Sequence, residues 1–204
     1  MHCGVRQGNV LAPLLFNIYV DDLIHQLESS GNGCFINGTF FGCIMYADDL
    51  LLLSPSVLAL QHMLDFCATF ATDNDLIAFN VNKSVCMKVG KYWNKNITSI
   101  CLGCNKMSWV PQIKYLGIVF VAGVHLNVDC SCVRHKFYTA CNSVLQGCKY
   151  SDELVKLAFV KAHCLPILSY CNGEMDLPVY KIRKLSHVGM IVYITFSSIS
   201  DQNQ

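Results

Sequence analysis

Hydrophobic and polar residues follow two different periods along the chain, and each period predicts one kind of secondary structure. From Ala12 to Leu27 the apolar residues recur every three or four positions, which predicts a helix with Pro13 in its first turn. The same spacing predicts three further helices, over 57–71, 133–147 and 154–165. Ser54 and Ser151 are the expected N-caps of the second and fourth helices.

Short apolar runs separated by turn residues predict β-strands between these helices. Asn37-Gly38 lies inside the run 34–41 and supplies the two positive φ angles of a type I′ turn, so this run predicts a hairpin. The runs 42–45 and 50–53 flank Tyr46-Ala47-Asp48-Asp49 and predict two buried strands that meet at an acidic tip. Two later runs, 77–87 and 113–121, are also expected to be extended.

The order of these elements indicates the fold class. A helix comes first, followed by antiparallel strands, a second helix, further strands and then mostly helices, which is typical of an α+β layer with a helical module after it. The pattern changes near 123–130. The sequence therefore predicts one region over residues 1–122 and a second over residues 123–204.

Composition narrows the class of protein. The chain has 204 residues, of which 53% are hydrophobic and 14% charged, values that exclude a disordered tail or a solvated linker. Its 13 cysteines are odd in number and irregularly spaced, which favours a reduced, intracellular protein over a disulfide scaffold. We expect no signal peptide and no membrane span, since the apolar run 188–196 is too short to cross a bilayer.

Charge is unevenly divided between the two halves of the chain. Residues 1–100 contain 5 Lys/Arg and 8 Asp/Glu, a net charge of −3, whereas residues 101–204 contain 10 and 6, a net charge of +4. An acidic half beside a basic half suits a metal site next to a phosphate-binding surface. Ordinary variation of surface charge explains the same difference, and the sequence leaves both interpretations open.

The sequence Tyr-x-Asp-Asp occurs twice, in different settings. Asp21 and Asp22 fall inside the first helix, so their carboxylates point in different directions and are expected to face solvent. Asp48 and Asp49 fall between two apolar strands, where adjacent carboxylates are costly unless they cap an exposed turn or bind a cation. Mg²⁺ accepts one or two carboxylates together with substrate phosphates, but Asp is also a common turn residue. This chemistry alone leaves a metal site and a plain turn equally open.

Four short motifs occur in order along the chain. They are Gly4-Val5-Arg6-Gln7-Gly8 with the following 11–17, Tyr46-Ala47-Asp48-Asp49, Asn80-Val81-Asn82-Lys83-Ser84, and Tyr115-Leu116-Gly117. In order and spacing they resemble blocks of the reverse transcriptases of non-LTR, LINE-type retrotransposons, and the stretch 134–177 resembles the thumb of the same family. The resemblance implies a partial right-hand polymerase palm followed by a mostly helical thumb.

The resemblance also implies a reaction and its site. Enzymes of this family join the 3′-hydroxyl of a primer to a deoxynucleoside triphosphate (dNTP) opposite an RNA or DNA template, with two Mg²⁺ ions. By resemblance, Asp48 and Asp49 are the catalytic metal ligands. The residues implied to bind substrate are Gln7, Gly8, Tyr46 and Lys83. The implied primer grip is Tyr115, Leu116 and Gly117.

The basic residues carry two open interpretations. Lys83 is either the cation beside the triphosphate, as the resemblance implies, or an ordinary solvated lysine. The same choice holds for five residues of the second region, which either meet backbone phosphates or form a solvated helical face: Arg134, Lys136, Lys149, Lys156 and Lys161.

The sequence departs from the family pattern in one respect that concerns the chemistry. Family members carry a first catalytic Asp on a separate strand, upstream of the Gly4–Gly8 block, and this sequence begins three residues before Gly4. Asp21 and Asp22 cannot replace it, because they are predicted to lie on a helix. We therefore expect a fragment with an incomplete two-ion site and no polymerase activity from this chain alone.

Two other functions remain open on the sequence. A cysteine-rich, zinc-binding interaction protein would take its ligands from Cys101, Cys104, Cys130, Cys132 and His135, although their spacing is not that of a familiar zinc finger. A domesticated, non-catalytic relative of the same family would bind a primer–template duplex without synthesis.

Overall fold

The helices of the computed structural model lie where the apolar spacing predicts them. The structure describes residues 10–74, 78–129 and 131–168, together with the backbone of 191–196. Its helices are α1 Ala12–Ser29, α2 Val57–Asp73, α3 Ser131–Gly147, α4 Glu153–Phe159 and the π-helical segment Val160–Cys164. All four predicted helices are therefore confirmed, and the fourth changes to a π-helix in its second half.

The strands are short and lie mostly between α2 and α3. Those before α2 are β1 Phe35–Ile36, β2 Thr39–Phe40, β3 Cys43–Tyr46 and β4 Asp49–Ser54. Those between α2 and α3 are β5 Val85–Lys88, β6 Cys101–Leu102, β7 Asn105–Lys106, β8 Ser108–Trp109, β9 Gln112–Tyr115, β10 Ile118–Val121 and β11 Asn127–Asp129. After the helices comes β12 Ile191–Phe196.

The largest sheet has five strands in the order β3-β4-β12-β5-β8. Its neighbours are antiparallel except for β5 and β8, which are parallel. Ile191 of β12 lies opposite Ser54 on one side and Lys88 on the other, so β4 and β5 run in the same direction and Val85 is level with Leu51. The other described sheets are the three-stranded β11-β10-β9 and the hairpins β1-β2 and β6-β7.

The main hydrophobic core lies between α1, α2 and the five-stranded sheet. α1 buries Val20, Leu23 and Leu27, which recur at helical spacing on one face. They pack in one cluster with residues of α2 and β4, namely Leu60, Met63, Leu64, Cys67, Phe70, Leu50 and Leu52. Each buried leucine contributes about 1.5–3 kcal/mol. Helices packed on a mostly antiparallel sheet confirm the predicted α+β class.

The N-caps of α2 and α4 differ from those expected. The Ser56 hydroxyl accepts a hydrogen bond of 3.1 Å from the Ala59 amide and caps α2, whereas Ser54 is the buried last residue of β4. Asp152 caps α4 by accepting a hydrogen bond from the next amide. Ser54 and Ser151 are therefore wrong as N-caps, because each is followed by a residue with a side-chain oxygen nearer the first helical turn.

The two runs that were expected to be extended are both interrupted by a turn. In the described part of 77–87 the strand is Val85–Lys88, because the Asn80 side chain accepts hydrogen bonds of 3.1 and 3.3 Å from two following amides and closes a turn before it. The run 113–121 forms two antiparallel strands, since Leu116-Gly117 adopts φ angles of 46° and 82° and reverses the chain.

The helical region after residue 123 buries few of its side chains. Neither α3 nor α4 has a buried residue, and between 131 and 168 only Cys164 is buried. The division into regions 1–122 and 123–204 stays a prediction. Among the described helices, none combines the length and the apolar character that crossing a bilayer requires.

Candidate active site

Asp48 and Asp49 lie at the tip of the hairpin formed by β3 and β4. Tyr46 and Asp49 are paired across the hairpin, so Ala47 and Asp48 alone make the turn. Ala47 has a φ of 50°, a left-handed conformation that costs a residue with a Cβ roughly 1–2 kcal/mol. The paired apolar strands on both sides enforce this conformation, which holds the two carboxylates together at one end of the sheet.

The two carboxylates differ in exposure and repel each other. Asp48 is exposed, whereas Asp49 is half-buried at the start of β4. Burial raises the pKa of the Asp49 carboxyl above its usual value, and the negative charge of Asp48 raises it further. A cation bound by both carboxylates would offset this repulsion.

The side chains at the tip fit a divalent cation of the Mg²⁺ type. Carboxylate oxygens are hard ligands, and Mg²⁺ takes one or two of them while water or phosphate oxygens fill its other positions. In the part of the chain that the structure describes, no group of three or more His, Cys, Asp or Glu side chains could hold a metal. Asp48 and Asp49 offer two such carboxylates, a number that suits one ion with water or substrate in its other positions.

Tyr115 lies beside this hairpin although it is distant in sequence. Its side chain is 7% exposed, and its buried hydroxyl has no hydrogen-bond partner among the described residues. Burial raises the pKa of Tyr115 to about 12, with smaller contributions from the charges of Asp49 and Cys43. Tyr115 also packs in one hydrophobic cluster with Leu51 of β4 and Val85 of β5. The turn Leu116-Gly117, which directly follows Tyr115, therefore lies against the sheet that carries the acidic tip.

Lys83 lies at the same end of the five-stranded sheet. Val85, the first residue of β5, is level with Leu51 of β4, and the two strands run in the same direction, so the turn that contains Lys83 precedes β5 at the end of the sheet where β4 begins. The two strands are separated by two strand spacings of about 4.8 Å each. The Lys83 side chain is exposed. The expected cation and the expected carboxylates therefore share one end of the sheet.

In the five-stranded sheet β4 lies between β3 and a second neighbouring strand, and this second strand contains no carboxylate at the level of the tip. This strand is β12, in which Phe196 is paired with Asp49 and Thr195 with Leu50. Its sequence, Ile-Val-Tyr-Ile-Thr-Phe, contains neither Asp nor Glu. Among the strands that the structure describes beside β4, neither β3 nor β12 adds a carboxylate to Asp48 and Asp49.

The remaining predicted site residues are either exposed or outside the described part. Asp21 and Asp22 are exposed on α1, which confirms that these two carboxylates face solvent. Tyr46 is 62% exposed beside the acidic turn. Gln7 and Gly8 lie outside the described residues.

The expected zinc ligands form no cluster in the described part of the chain. Cys104 is exposed in the turn between β6 and β7, and Cys132 and His135 are exposed on α3. Cys101 is half-buried in β6, and Cys130 lies outside the described residues.

Sequence reasoning missed two features of the site. The left-handed Ala47 gives no sequence signal, because Gly and Asn are the residues that mark such positions. Tyr115 of the three-stranded sheet packs against the five-stranded sheet that carries Asp49, and hydrophobic periodicity carries no information about which sheets pack together. The motifs indicated both elements but not that they meet.

Comparison with known proteins agrees with the motifs. The family model described as reverse transcriptase (RNA-dependent DNA polymerase) matches residues 1–120. The Retrovirus-related Pol polyprotein from type-2 retrotransposable element R2DM of Drosophila melanogaster is 30% identical over 129 residues, which are 58% of this chain and 12% of the relative. The RNA-directed DNA polymerase from mobile element jockey of Drosophila funebris is 27% identical over 151 residues, 68% of this chain and 15% of the relative.

A third relative extends the same pattern. The Retrovirus-related Pol polyprotein from type-1 retrotransposable element R2 of Popillia japonica is 37% identical over 87 residues, which are 42% of this chain and 12% of the relative. The chain thus spans between 12% and 15% of the length of these three relatives. No solved structure matches it significantly. Because the family model covers more than half of its residues and its relatives come from non-LTR retrotransposons, the chain belongs to the reverse transcriptase family.

Proposed function

We propose that this chain supplies the acidic hairpin of a retrotransposon reverse transcriptase palm, where a divalent cation binds for nucleotidyl transfer. One observation carries the proposal: Asp48 and the half-buried Asp49 are held together at a strained turn between apolar strands. The common two-residue hairpin loops have a positive φ at their first residue, so what favours a cation site over a plain turn is the partly buried Asp49 carboxyl, whose pKa is raised by burial and by Asp48. The family match over residues 1–120 supports the same interpretation.

In this proposal the cation is Mg²⁺, which when bound lowers the pKa of the attacking primer hydroxyl and neutralises the triphosphate. Asp48 and Asp49 hold the ion, and the exposed Lys83 adds positive charge on the side of the leaving group. The other proposed contacts to dNTP and template–primer are made by Gln7, Gly8 and Tyr46 at the nascent base pair and by Tyr115, Leu116 and Gly117 at the primer end.

We also propose that residues 1–122 form part of the palm and residues 123–204 a thumb-like helical region. The sheet covered by helices in the first region and the sparsely packed helices α3 and α4 of the second support this division. The strand β12 is an exception, because it comes from the second region and lies between β4 and β5 in the sheet of the first. Four basic residues of the second region are exposed and could meet template–primer phosphates: Arg134, Lys136, Lys149 and Lys161.

The proposal includes a limit on activity. A two-ion mechanism needs carboxylates from more than one strand, and β12 and β5, the next strands after β4 in the sheet, contain none. This chain by itself is therefore expected to bind a divalent cation without extending a primer. Incorporation of dNTP by the purified chain that disappears in Asp48→Asn would contradict this limit while supporting the site.

Mn²⁺ binding, followed by electron paramagnetic resonance of the free ion, tests the proposed site. The chain offers a matched control, because Tyr-x-Asp-Asp occurs both at the hairpin and on α1. Asp48→Asn with Asp49→Asn should remove one bound Mn²⁺, whereas Asp21→Asn with Asp22→Asn, with the same charge change, should retain it. Equal loss in both double variants would mean that the ion senses only net charge, and would refute the site.

A further inference from the structure

One stretch of the chain is basic throughout. Residues 76–128 contain no Asp and no Glu. The same stretch contains six lysines: Lys83, Lys88, Lys91, Lys95, Lys106 and Lys114. A stretch of 53 residues with a net charge of +6, in a chain whose total is +1, creates a local positive field that attracts polyanions.

Three of these lysines and two aromatic residues share one short loop. We call residues 88–95, with the sequence Lys-Val-Gly-Lys-Tyr-Trp-Asn-Lys, the Lys–aromatic loop. Tyr92 is 57% exposed and Trp93 is 38% exposed, although both rings are large and apolar. The ammonium groups of Lys95 and Lys91 lie 4.6 and 5.8 Å from the centre of the Tyr92 ring. Positive charge and exposed aromatic surface therefore occur at the same point.

Backbone hydrogen bonds hold the Lys–aromatic loop in place. The Gly90 amide donates to the Gly123 carbonyl at 2.9 Å, which ties the loop to the connection between β10 and β11 of the three-stranded sheet. The Trp93 amide donates to the Gly90 carbonyl at 3.0 Å, and the Lys88 ammonium donates to the Lys95 carbonyl. These bonds fix the backbone that carries the rings, so the loop loses less conformational entropy when a ligand binds.

The Lys–aromatic loop is separate from the acidic hairpin. Lys88 at its start is level with Ser54, the last residue of β4, whereas Asp49 is the first residue of that strand. Five residue steps of about 3.3 Å place these two ends roughly 17 Å apart. The loop therefore lies at the opposite end of the sheet from the carboxylates and contributes nothing to the proposed metal site.

We propose that the Lys–aromatic loop binds single-stranded nucleic acid, with Lys91 and Lys95 on backbone phosphates and with Tyr92 and Trp93 stacked on unpaired bases. Phosphate contacts made by lysine are electrostatic and independent of sequence. Base stacking on aromatic side chains needs bases that are not paired, and every base offers a flat face for it. The combination selects a single strand over a duplex. It deepens the proposed function by adding a strand contact remote from the acidic hairpin, and it does not depend on the metal site.

Fluorescence anisotropy with a labelled 12-nucleotide oligothymidine and the full chain tests the stacking contact. Tyr92→Ala with Trp93→Ala should weaken binding at least about fivefold per ring lost. Tyr138→Ala with Tyr150→Ala removes two other exposed aromatic rings and should leave affinity unchanged. Tyr92→Phe keeps a flat ring and should retain affinity, which separates stacking from a folding defect. Equal weakening by the two Ala pairs would overturn the proposal.

Salt dependence tests the phosphate contacts. Lys91→Ala with Lys95→Ala should reduce the slope of log affinity against log salt concentration by about 1.4, since each single-strand phosphate contact contributes about 0.7. Lys106→Ala with Lys114→Ala changes net charge equally and should leave the slope within error of the unmodified chain. The same reduction in both pairs would show that only total charge matters, and would overturn the assignment.

Two further ligands separate this proposal from others. An oligomer of abasic phosphodiester should bind more weakly than oligothymidine, and a duplex of matched length should bind less tightly than the single strand. Tighter binding to vesicles containing phosphatidylserine than to oligothymidine would identify a membrane surface instead and overturn the proposal. Asp48→Asn with Asp49→Asn should bind oligothymidine normally, so that failure of the metal site and failure of the loop are distinguishable.

Discussion

Replacing Tyr115 with Phe removes only the side-chain hydroxyl and therefore tests whether that hydroxyl is buried without a hydrogen-bond partner. That hydroxyl has no hydrogen-bond partner among the described residues. A buried polar group without a partner costs about 1–3 kcal/mol, so Tyr115→Phe should raise the free energy of unfolding at pH 7 by about 1 kcal/mol. The exposed Tyr138, 64% accessible, provides the control, since Tyr138→Phe should change stability by less than about 0.5 kcal/mol.

The effect of Tyr115→Phe should grow with pH. The pKa of Tyr115 is raised to about 12 in the folded chain, against about 10 when unfolded, so the unfolded state loses this proton first. The stability that the raised pKa of Tyr115 provides is therefore fully present below pH 10 and declines as the pH rises from 10 to 12. At pH 11 ionisation of Tyr115 should remove up to about 1.4 kcal/mol of stability from the unmodified chain and none from Tyr115→Phe.

Urea unfolding, followed by circular dichroism under reducing conditions, measures both effects. The ionisation of cysteine thiols also lowers stability at high pH, and apart from Cys43, whose charge acts on Tyr115, it does so equally in both chains and cancels in their difference. A less stable Tyr115→Phe at pH 7 would mean that the hydroxyl has a bonding partner. A difference that is the same at pH 7 and pH 11 would refute the raised pKa of Tyr115, and with it the burial of the hydroxyl that mainly causes it.

Two further substitutions test the fold, each with a control in the same kind of element. Leu60→Ala should lower the free energy of unfolding in urea by about 2–5 kcal/mol, because Leu60 is fully buried. Leu58→Ala, on the same helix and 67% exposed, should lower it by less than about 0.5 kcal/mol. Equal losses would contradict the packing of α2. Gly38→Ala should destabilise the β1-β2 hairpin by about 1 kcal/mol through its φ of 80° alone, since a Cβ there meets no described atom within 4 Å. Gly147→Ala, equally open but at the end of α3, should be neutral or stabilising, and a loss there as large as at Gly38 would refute the argument from φ.

Much of the fold could be predicted from local signals in the sequence. Val20, Leu23 and Leu27 recur at helical spacing and are all buried, and Asn37-Gly38 forms the expected hairpin turn. Local patterns gave the wrong result where two signals compete over a few residues. Ser56 and not Ser54 is the N-cap of α2, because strand pairing extends to Ser54.

The candidate site could be predicted only in part. The setting of Asp48 and Asp49 between apolar runs indicated an acidic tip, and the hairpin confirms it. The packing of Tyr115 against the five-stranded sheet and the position of β12 between β4 and β5 depend on contacts between segments far apart in sequence, which periodicity does not encode. The roles of the site residues, the Mg²⁺ ion and the intracellular location stay predictions.

Equilibrium binding of a fluorescent dNTP with and without Mg²⁺ tests the central claim most directly, because it requires the carboxylates and the ion together. The account predicts binding that depends on Mg²⁺, is lost in Asp48→Asn with Asp49→Asn, and persists in Asp21→Asn with Asp22→Asn. Binding that is equally tight without Mg²⁺, or that survives loss of Asp48 and Asp49, would contradict the account.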